Sequence, residues 1–203
     1  MTGSPTDTLS DTSAQQRAAL RWLLVPTFTL FTAIASQIAI PTQPLGVPIT
    51  LQSLAVVLCA LALGPKLGAA SMLLYIITGA MGVAVFGEGQ SGIATILGQT
   101  GGYILGFLIA QPAAHLIIRR RDTTIRGWGA ILTASLVVHL VIFAIGVPWL
   151  FAVRNLDPDT DPISIASAIH YGFTVFVPGM ILKSIIATLI ALWALPYIAH
   201  RVW

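Results

Sequence analysis

Apolar and polar positions follow one another in long blocks along this chain, not in the short periods of a soluble helix or strand. Near-continuous apolar stretches cover residues 18–40, 51–64, 67–86, 102–118, 129–153 and 178–198. A helix needs about 20 apolar residues to cross the hydrocarbon layer of a bilayer. Most of these stretches have them, and 51–64 reaches that length if its helix begins near Pro48. The pattern predicts an all-α membrane protein with six transmembrane helices. Pro26 is expected to kink the first helix, because proline removes a backbone donor. Gly64-Pro65-Lys66-Leu67-Gly68 reads as a tight turn joining the second and third. Three longer connections lie on the far side: residues 41–50, with Pro41, Pro44 and Pro48 and no charge; 87–101, with Glu88 and Gln90; and 154–169, with Asp157, Asp159 and Asp161. Inverted repeats, frequent in secondary transporters, are not visible.

Composition agrees with this reading. Of 203 residues, 56% are hydrophobic and only 8% charged, where soluble domains carry about 25% charged residues. The mean hydropathy is +0.89 and the pI about 9.4. The basic balance does not mark a nucleic-acid surface, because the cations sit between apolar spans. Arg17, Arg21, Lys66, Arg119, Arg120, Arg121, Arg126 and Arg201 all fall on one side of a six-span topology, while Arg154, Glu88 and the three aspartates fall on the other. The positive-inside rule then places both termini in the cytoplasm. Residues 1–17 are polar and rich in Ser, Thr and Asp, without the features of a signal peptide, and read as a disordered cytoplasmic tail. Residues 18–203 are expected to form the six-helix transmembrane domain. Cys59, the single cysteine, allows no disulfide within the chain and reads as a small buried apolar residue.

The candidate chemistry centres on Lys183, the one charged residue inside an apolar span. An ionisable group at membrane depth is costly and points to function. Pro178-Gly179 marks a helix start, which puts Lys183 about one and a half turns inside the outer end. There the ammonium suits a ligand carboxylate. The competing readings are a lysine snorkelling to the interface or pairing with Glu88. Gln52 on the first outer loop and Glu88 and Gln90 on the next supply donors and acceptors on the same side. Tyr75 and Tyr103 offer aromatic walls with a polar tip. Small residues four apart on the first helix, Thr32/Ser36 and Ala35/Ala39, allow close helix approach, either within the chain or against another membrane subunit.

Other motifs exclude functions. Gly98-Gln99-Thr100-Gly101-Gly102 lacks the Gly-Lys-Ser/Thr of a phosphate-binding loop, so the chain is not expected to hydrolyse ATP. His115 and His139 lie on different helices without a partner at metal-ligand spacing and read as core or interfacial histidines; no metal or cofactor is expected. Ser184, although next to Lys183, forms no recognisable nucleophile–base pair. Arg119 to Arg121 read as a topology signal in contact with anionic lipid.

The blocks VPITLQSLAVVLCALALGPKLGAASMLLYIITGAMGVAVF, GQTGGYILGF and FVPGMILK resemble the BioY family, the biotin-binding membrane subunits (S components) of energy-coupling factor (ECF) transporters. The likeness spans residues 23–195. It implies an S-component-like bundle in the plasma membrane, the inner membrane of a bacterium, holding biotin near its outer face beneath the first loop. It also implies partnership with a transmembrane coupling subunit and a pair of ATPases through small residues of the first helix, here Ala35 and Ala39. Two departures stand out. Gln99 occupies a position where the family usually has proline. Met180 in Pro178-Gly179-Met180-Ile181-Leu182-Lys183 replaces an aspartate that the family uses at its ligand site, leaving Glu88 as the candidate substitute.

The sequence therefore predicts a non-enzymatic biotin-uptake subunit, with the valerate carboxylate on Lys183 and the rings against Tyr75, Tyr103, Phe86 and Met180. The alternatives are a diverged subunit for a biotin relative such as desthiobiotin or another carboxylated vitamin, and, less favoured, an intramembrane enzyme using Glu88 or Lys183 as a base. The last lacks paired carboxylates or a His–Ser arrangement. Lys183→Ala is expected to weaken ligand binding strongly and Arg120→Ala to leave it unchanged, as measured by equilibrium binding to the purified protein; equal, small effects of both would sink the assignment.

Overall fold

A computed structural model describes residues 22–42, 47–118 and 127–202, with side chains as far as Ala194 in the last helix. The predicted tail and the cations Arg17, Arg21, Arg119, Arg120, Arg121 and Arg126 lie outside the described residues, as does the Arg201 side chain.

Helix α1, described over Trp22–Ser36, ends earlier than the apolar stretch does. Pro41 disfavours helix in the residue before it, and the chain instead extends into strand β1 (Ala39–Ile40), which pairs antiparallel with β2 (Ile49–Thr50) in the register Ala39↔Thr50 and Ile40↔Ile49. The first outer connection is thus a short ladder and not a plain loop.

Helix α2 covers Gln52–Ala80, 29 residues, with Gly64 at φ 70° and ψ −175° and Pro65 inside it. As one straight rod it would hold Gln52 and Tyr75 about 34 Å apart at 1.5 Å per residue. Their side chains are hydrogen-bonded at 2.6 Å, and Cys59 likewise meets Ser71. Both pairs are centred close to Gly64, so α2 is a hairpin of two antiparallel arms. Glycine supplies the backbone conformation that L side chains avoid, and Pro65, without an N–H, starts the second arm. The predicted second and third spans are these two arms. The third ends at Ala80, not Phe86: residues 81–86 turn back and bring Phe86 onto Tyr75, with ring centroids 5.5 Å apart.

A 3₁₀ turn at Gly87–Gly89 and the short helix α3 (Ile93–Leu97) lead into α4 (Gly101–Ile109) and α5 (Gln111–Ile118). These two form one 18-residue span, Gly101–Ile118, interrupted at Ala110 just before Pro112, whose missing N–H breaks the helical ladder. Helix α6 (Trp128–Leu156) is 29 residues long. The acidic connection expected over 154–169 is partly helical: Ser164 accepts a hydrogen bond from the Ser167 backbone N–H at 3.1 Å and caps α7 (Ile165–Gly172). A 3₁₀ turn, Thr174–Phe176, then feeds α8 (Val177–Val202), with Pro178 in the first turn, where its lost donor is not needed.

Six helical passes result: α1, the two arms of α2, α4 with α5, α6, and α8. Helix α2 packs on α5 and α8, and α6 on α4, α5 and α8, around a core that includes Leu61, Met72, Ile118, Ile131 and Leu150. Large apolar side chains also cover the outside, among them Trp22, Leu30, Ile34, Leu116, Leu189 and Trp193. Among the described residues four helices are long and apolar enough to cross a membrane, and α1 is a shorter apolar helix. An apolar exterior is the expected face of a bundle whose solvent is lipid, and the chain is a multi-pass membrane protein. The hairpin turn at Gly64, the last residues of α5, the first of α6 and the end of α8 share one end of the bundle. The β-ladder, the Gly87–Gly89 turn and α7 gather at the other.

Gly64→Ala is expected to cost about 1–3 kcal/mol, the range for a residue forced into a glycine-only conformation, read as a lowered Tm in detergent. Gly129→Ala, on the open surface of α6 with nothing within 4 Å of an added Cβ, should leave Tm unchanged or slightly raised.

Candidate functional site

A cavity opens at the loop-bearing end of the bundle. Val47, Pro48, Thr50, Gln52 and Ser53 come from the first connection and the start of α2; Phe86, Gly87 and Gln90 from the second connection; Thr100, Tyr103, Ile104 and Phe107 from α4 and its N-cap; His139, Ile142 and Phe143 from α6; and Phe176, Met180 and Lys183 from the 3₁₀ turn before α8 and from α8. Each helix contributes residues spaced three or four apart, the stripe that one helical face presents.

Lys183 is the polar focus. Its side chain is 8% exposed, and its Nζ donates to the Thr50 carbonyl at 2.6 Å and to Ser53 Oγ at 3.0 Å. Among the described residues it meets no carboxylate. An ammonium has three donors, so one N–H remains for a ligand. Lys183 therefore neither snorkels nor pairs with Glu88. It is tied through neutral dipoles to the strand that roofs the cavity.

The aromatic wall is positioned by tight packing. Tyr103 lies against Gly146 of α6, where any Cβ would overlap its ring, and its hydroxyl donates to the Gly172 carbonyl at 2.9 Å. Phe143 touches Tyr103, Phe173 and Phe176 at centroid distances of 6.1, 5.2 and 5.8 Å. Trp149 Nε1 donates to the Gly98 carbonyl at 2.9 Å and holds the loop before α4.

Six of the eight predicted ligand residues line the cavity: Lys183, Gln90, Gln52, Tyr103, Phe86 and Met180. Two do not. Glu88 sits exposed at the tip of its turn, at φ 59°, and it does not replace an acid at position 180. Tyr75 is fully buried behind the wall; its hydroxyl accepts from Gln52 Nε2 at 2.6 Å and donates to the Val85 carbonyl at 2.7 Å. It supports the site from behind. The small-residue face of α1 is also corrected. Val25, Thr29, Thr32, Ala35 and Ser36 are buried, with Thr29 Oγ1 2.9 Å from the Ser71 carbonyl, Ser71 Oγ donating to the Val25 carbonyl at 3.0 Å, and Ser36 Oγ 2.6 Å from the Val85 carbonyl. Ala35 thus packs inside the chain, and Ala39 lies in β1 beyond the helix.

Ser53, Thr100, Phe107, Phe143 and Phe176 also line the cavity, although nothing in the sequence singles them out. A seed residue finds several of them: Phe107 is one turn from Tyr103, and Phe176, Met180 and Lys183 follow a four-then-three spacing. His139, which reads from the sequence as a core or interfacial histidine, lies on the cavity wall.

Fold and site together define a helical membrane protein with a ligand cavity at one end of its bundle, closed by a loop and marked by a buried ammonium. A family model described as the BioY family matches residues 8–199, and the chain belongs to that family. A protein of Pyrococcus horikoshii named a probable biotin transporter BioY is 46% identical over 127 residues, covering 63% of this chain and 72% of that one. The biotin transporter BioY of Thermotoga maritima is 35% identical over 166 residues, covering 81% and 89%. A crystal structure of the S-component for biotin from an ECF-type ABC transporter superposes with a TM-score of 0.75 at 24% identity, covering 87% of this chain and 90% of that one; it shares the fold. These relatives are transporters, which sets aside the intramembrane-enzyme alternative.

Tyr75→Phe is expected to destabilise the protein by about 1–3 kcal/mol, since it leaves the buried Gln52 amide N–H without its partner and takes from the Val85 carbonyl one of two donors, Ser36 being the other. Ligand affinity should fall with it although Tyr75 never touches the cavity; thermal unfolding and binding measured side by side check this.

Proposed function

We propose that this chain is the substrate-binding subunit of a vitamin-uptake transporter and that biotin is its ligand. The observation that supports this most is the Lys183 ammonium at the cavity wall, held by two neutral acceptors and with one donor unspent. Biotin has a carboxylate to meet that donor, and its fused rings suit the wall of Phe86, Tyr103, Phe107, Phe143 and Phe176. Mostly apolar lining with a few placed polar groups is the usual form of a small-molecule site. The names of the relatives from Pyrococcus horikoshii and Thermotoga maritima point to the same ligand.

With no nucleotide-binding motif in its sequence, the subunit takes its energy from partners: a transmembrane coupling subunit and a pair of ATPases. The face of α1 open to such a partner carries Leu30 and Ile34, with Ala39 near its end. The cavity lies opposite the hairpin turn bearing Lys66 and the ends of α5 and α6, between which the sequence carries the basic segment 119–126. The positive-inside rule then orients the cavity outward from the plasma membrane and leaves both termini in the cytoplasm.

Met180 favours a second reading, in which the ligand is a biotin relative, because a thioether is a weak acceptor where the family usually carries an acid. Mass spectrometry of whatever co-purifies with the full chain, followed by displacement of radiolabelled biotin by biotin and by desthiobiotin, separates the two. The expected outcome is retained biotin, displaced more readily by biotin than by desthiobiotin. A different retained mass, with no biotin binding, would overturn the biotin assignment.

A further inference from the structure

The cavity wall holds a buried polar atom without a partner. His139 stands on α6, 1% exposed, beside Ile142 and Phe143 on the cavity face. Its Nδ1 is 3.0 Å from the Ser135 carbonyl oxygen and 3.1 Å from Ser184 Oγ. A carbonyl only accepts, so Nδ1 carries the proton and donates it. In the uncharged ring Nε2 then bears the lone pair and is an acceptor. Among the described residues Nε2 has no hydrogen-bond partner, although buried acceptors are rarely left unmet.

The ring is oriented by its neighbours. The Nδ1 edge is held in the seam between α6 and α8 by Ser135 and Ser184, and the opposite edge, with Nε2, belongs to a ring that lines the cavity. Ser184 follows Lys183 in sequence, so the donor and the free acceptor belong to one corner of the site. Close to Lys183 the Thr50 carbonyl and Ser53 hydroxyl already receive its ammonium and Met180 offers only a thioether, while Gln52, Gln90 and Thr100 are the other polar side chains of the lining.

We propose that His139 Nε2 accepts a hydrogen bond from an N–H of the bound ligand. The cavity would then select small molecules that carry an anionic group for Lys183 and a cyclic urea or amide N–H for His139. This rests on the biotin reading above and deepens it, because biotin has both features.

The test measures equilibrium binding of biotin, and of biotin methylated at each ureido nitrogen in turn, to the full chain in detergent. Wild type, H139F and H139Q are compared, each with its Tm. Wild type should prefer biotin over one methylated form by about tenfold or more, the effect of losing one buried hydrogen bond. H139F should lose about that factor for biotin and little for the methylated form, so that the preference collapses. H139Q, with an amide oxygen as acceptor, should retain part of it. Wild type that binds all three ligands equally overturns the inference without recourse to any variant. So does H139F that keeps the wild-type preference, or that weakens for biotin and both methylated forms alike. Wild type that binds none of them overturns the biotin reading itself, and the inference falls with it.

Discussion

A positive charge inside an apolar bundle is the constraint around which this molecule is built. Moving an ammonium out of water costs several kcal/mol even after the surroundings relax. Each hydrogen bond to a charged group returns about 1.5–3 kcal/mol, so the Thr50 carbonyl and Ser53 hydroxyl offset much of that cost without cancelling the charge. A carboxylate in their place would satisfy Lys183 and compete with any anionic ligand. Neutral acceptors leave the field of the ammonium directed into the cavity, where an anion gains most from it. The same two bonds also tie α8 to the end of β2 and the start of α2, so the charge organises the roof of the cavity as well as its floor.

The scaffold beneath is set by polar groups at membrane depth. In lipid no hydrophobic force drives helix against helix, and small residues with short hydroxyls do that work. Here Thr29, Ser36 and Ser71 join α1 to the second arm of α2 and to the chain after it, while Gln52 and Tyr75 join the two arms of the hairpin. These contacts fix where α2 starts, and that start carries Ser53 and, just before it, Thr50. The position of the ammonium's acceptors is thus inherited from helix packing further down the bundle.

Much of this was legible in the sequence. Six apolar blocks gave the passes, and Gly64-Pro65 gave the hairpin, since few other residue pairs tolerate such a reversal. Lys183 was legible because a charge in an apolar span has few bland explanations. Glu88, Tyr75 and Ala35 show the limit. Residue type marks a polar or small side chain but not its direction. Glu88 points away because its turn adopts a left-handed backbone at that residue, and Ala35 faces inward with the hydroxyls that bond α1 to α2. The aromatic lining was hidden for the opposite reason. Phe107, Phe143 and Phe176 are indistinguishable in sequence from phenylalanines facing lipid, and only the relative rotation of α4, α6 and α8 sorts them. His139 looked like a core histidine, and on its Nδ1 side it is one.

Selectivity in such a site must come from its few polar groups. Apolar contacts separate ligands differing by a methylene by only about 1–3 kcal/mol, whereas a buried donor or acceptor left unmet penalises the wrong ligand far more. On the proposed reading the wall from Phe86 to Phe176 would give affinity for flat or fused rings without much choice among them. Choice would fall to the unspent donor of Lys183 and to the polar atoms around it. Met180 bears on that balance under the proposed reading: with no acid at this position, the ammonium keeps its charge uncompensated, which would strengthen its hold on an anionic ligand, while recognition of a ligand N–H would rest on neutral acceptors elsewhere in the cavity. Two parts of one ligand would then be read by opposite means, a full charge at one point and lone pairs at another.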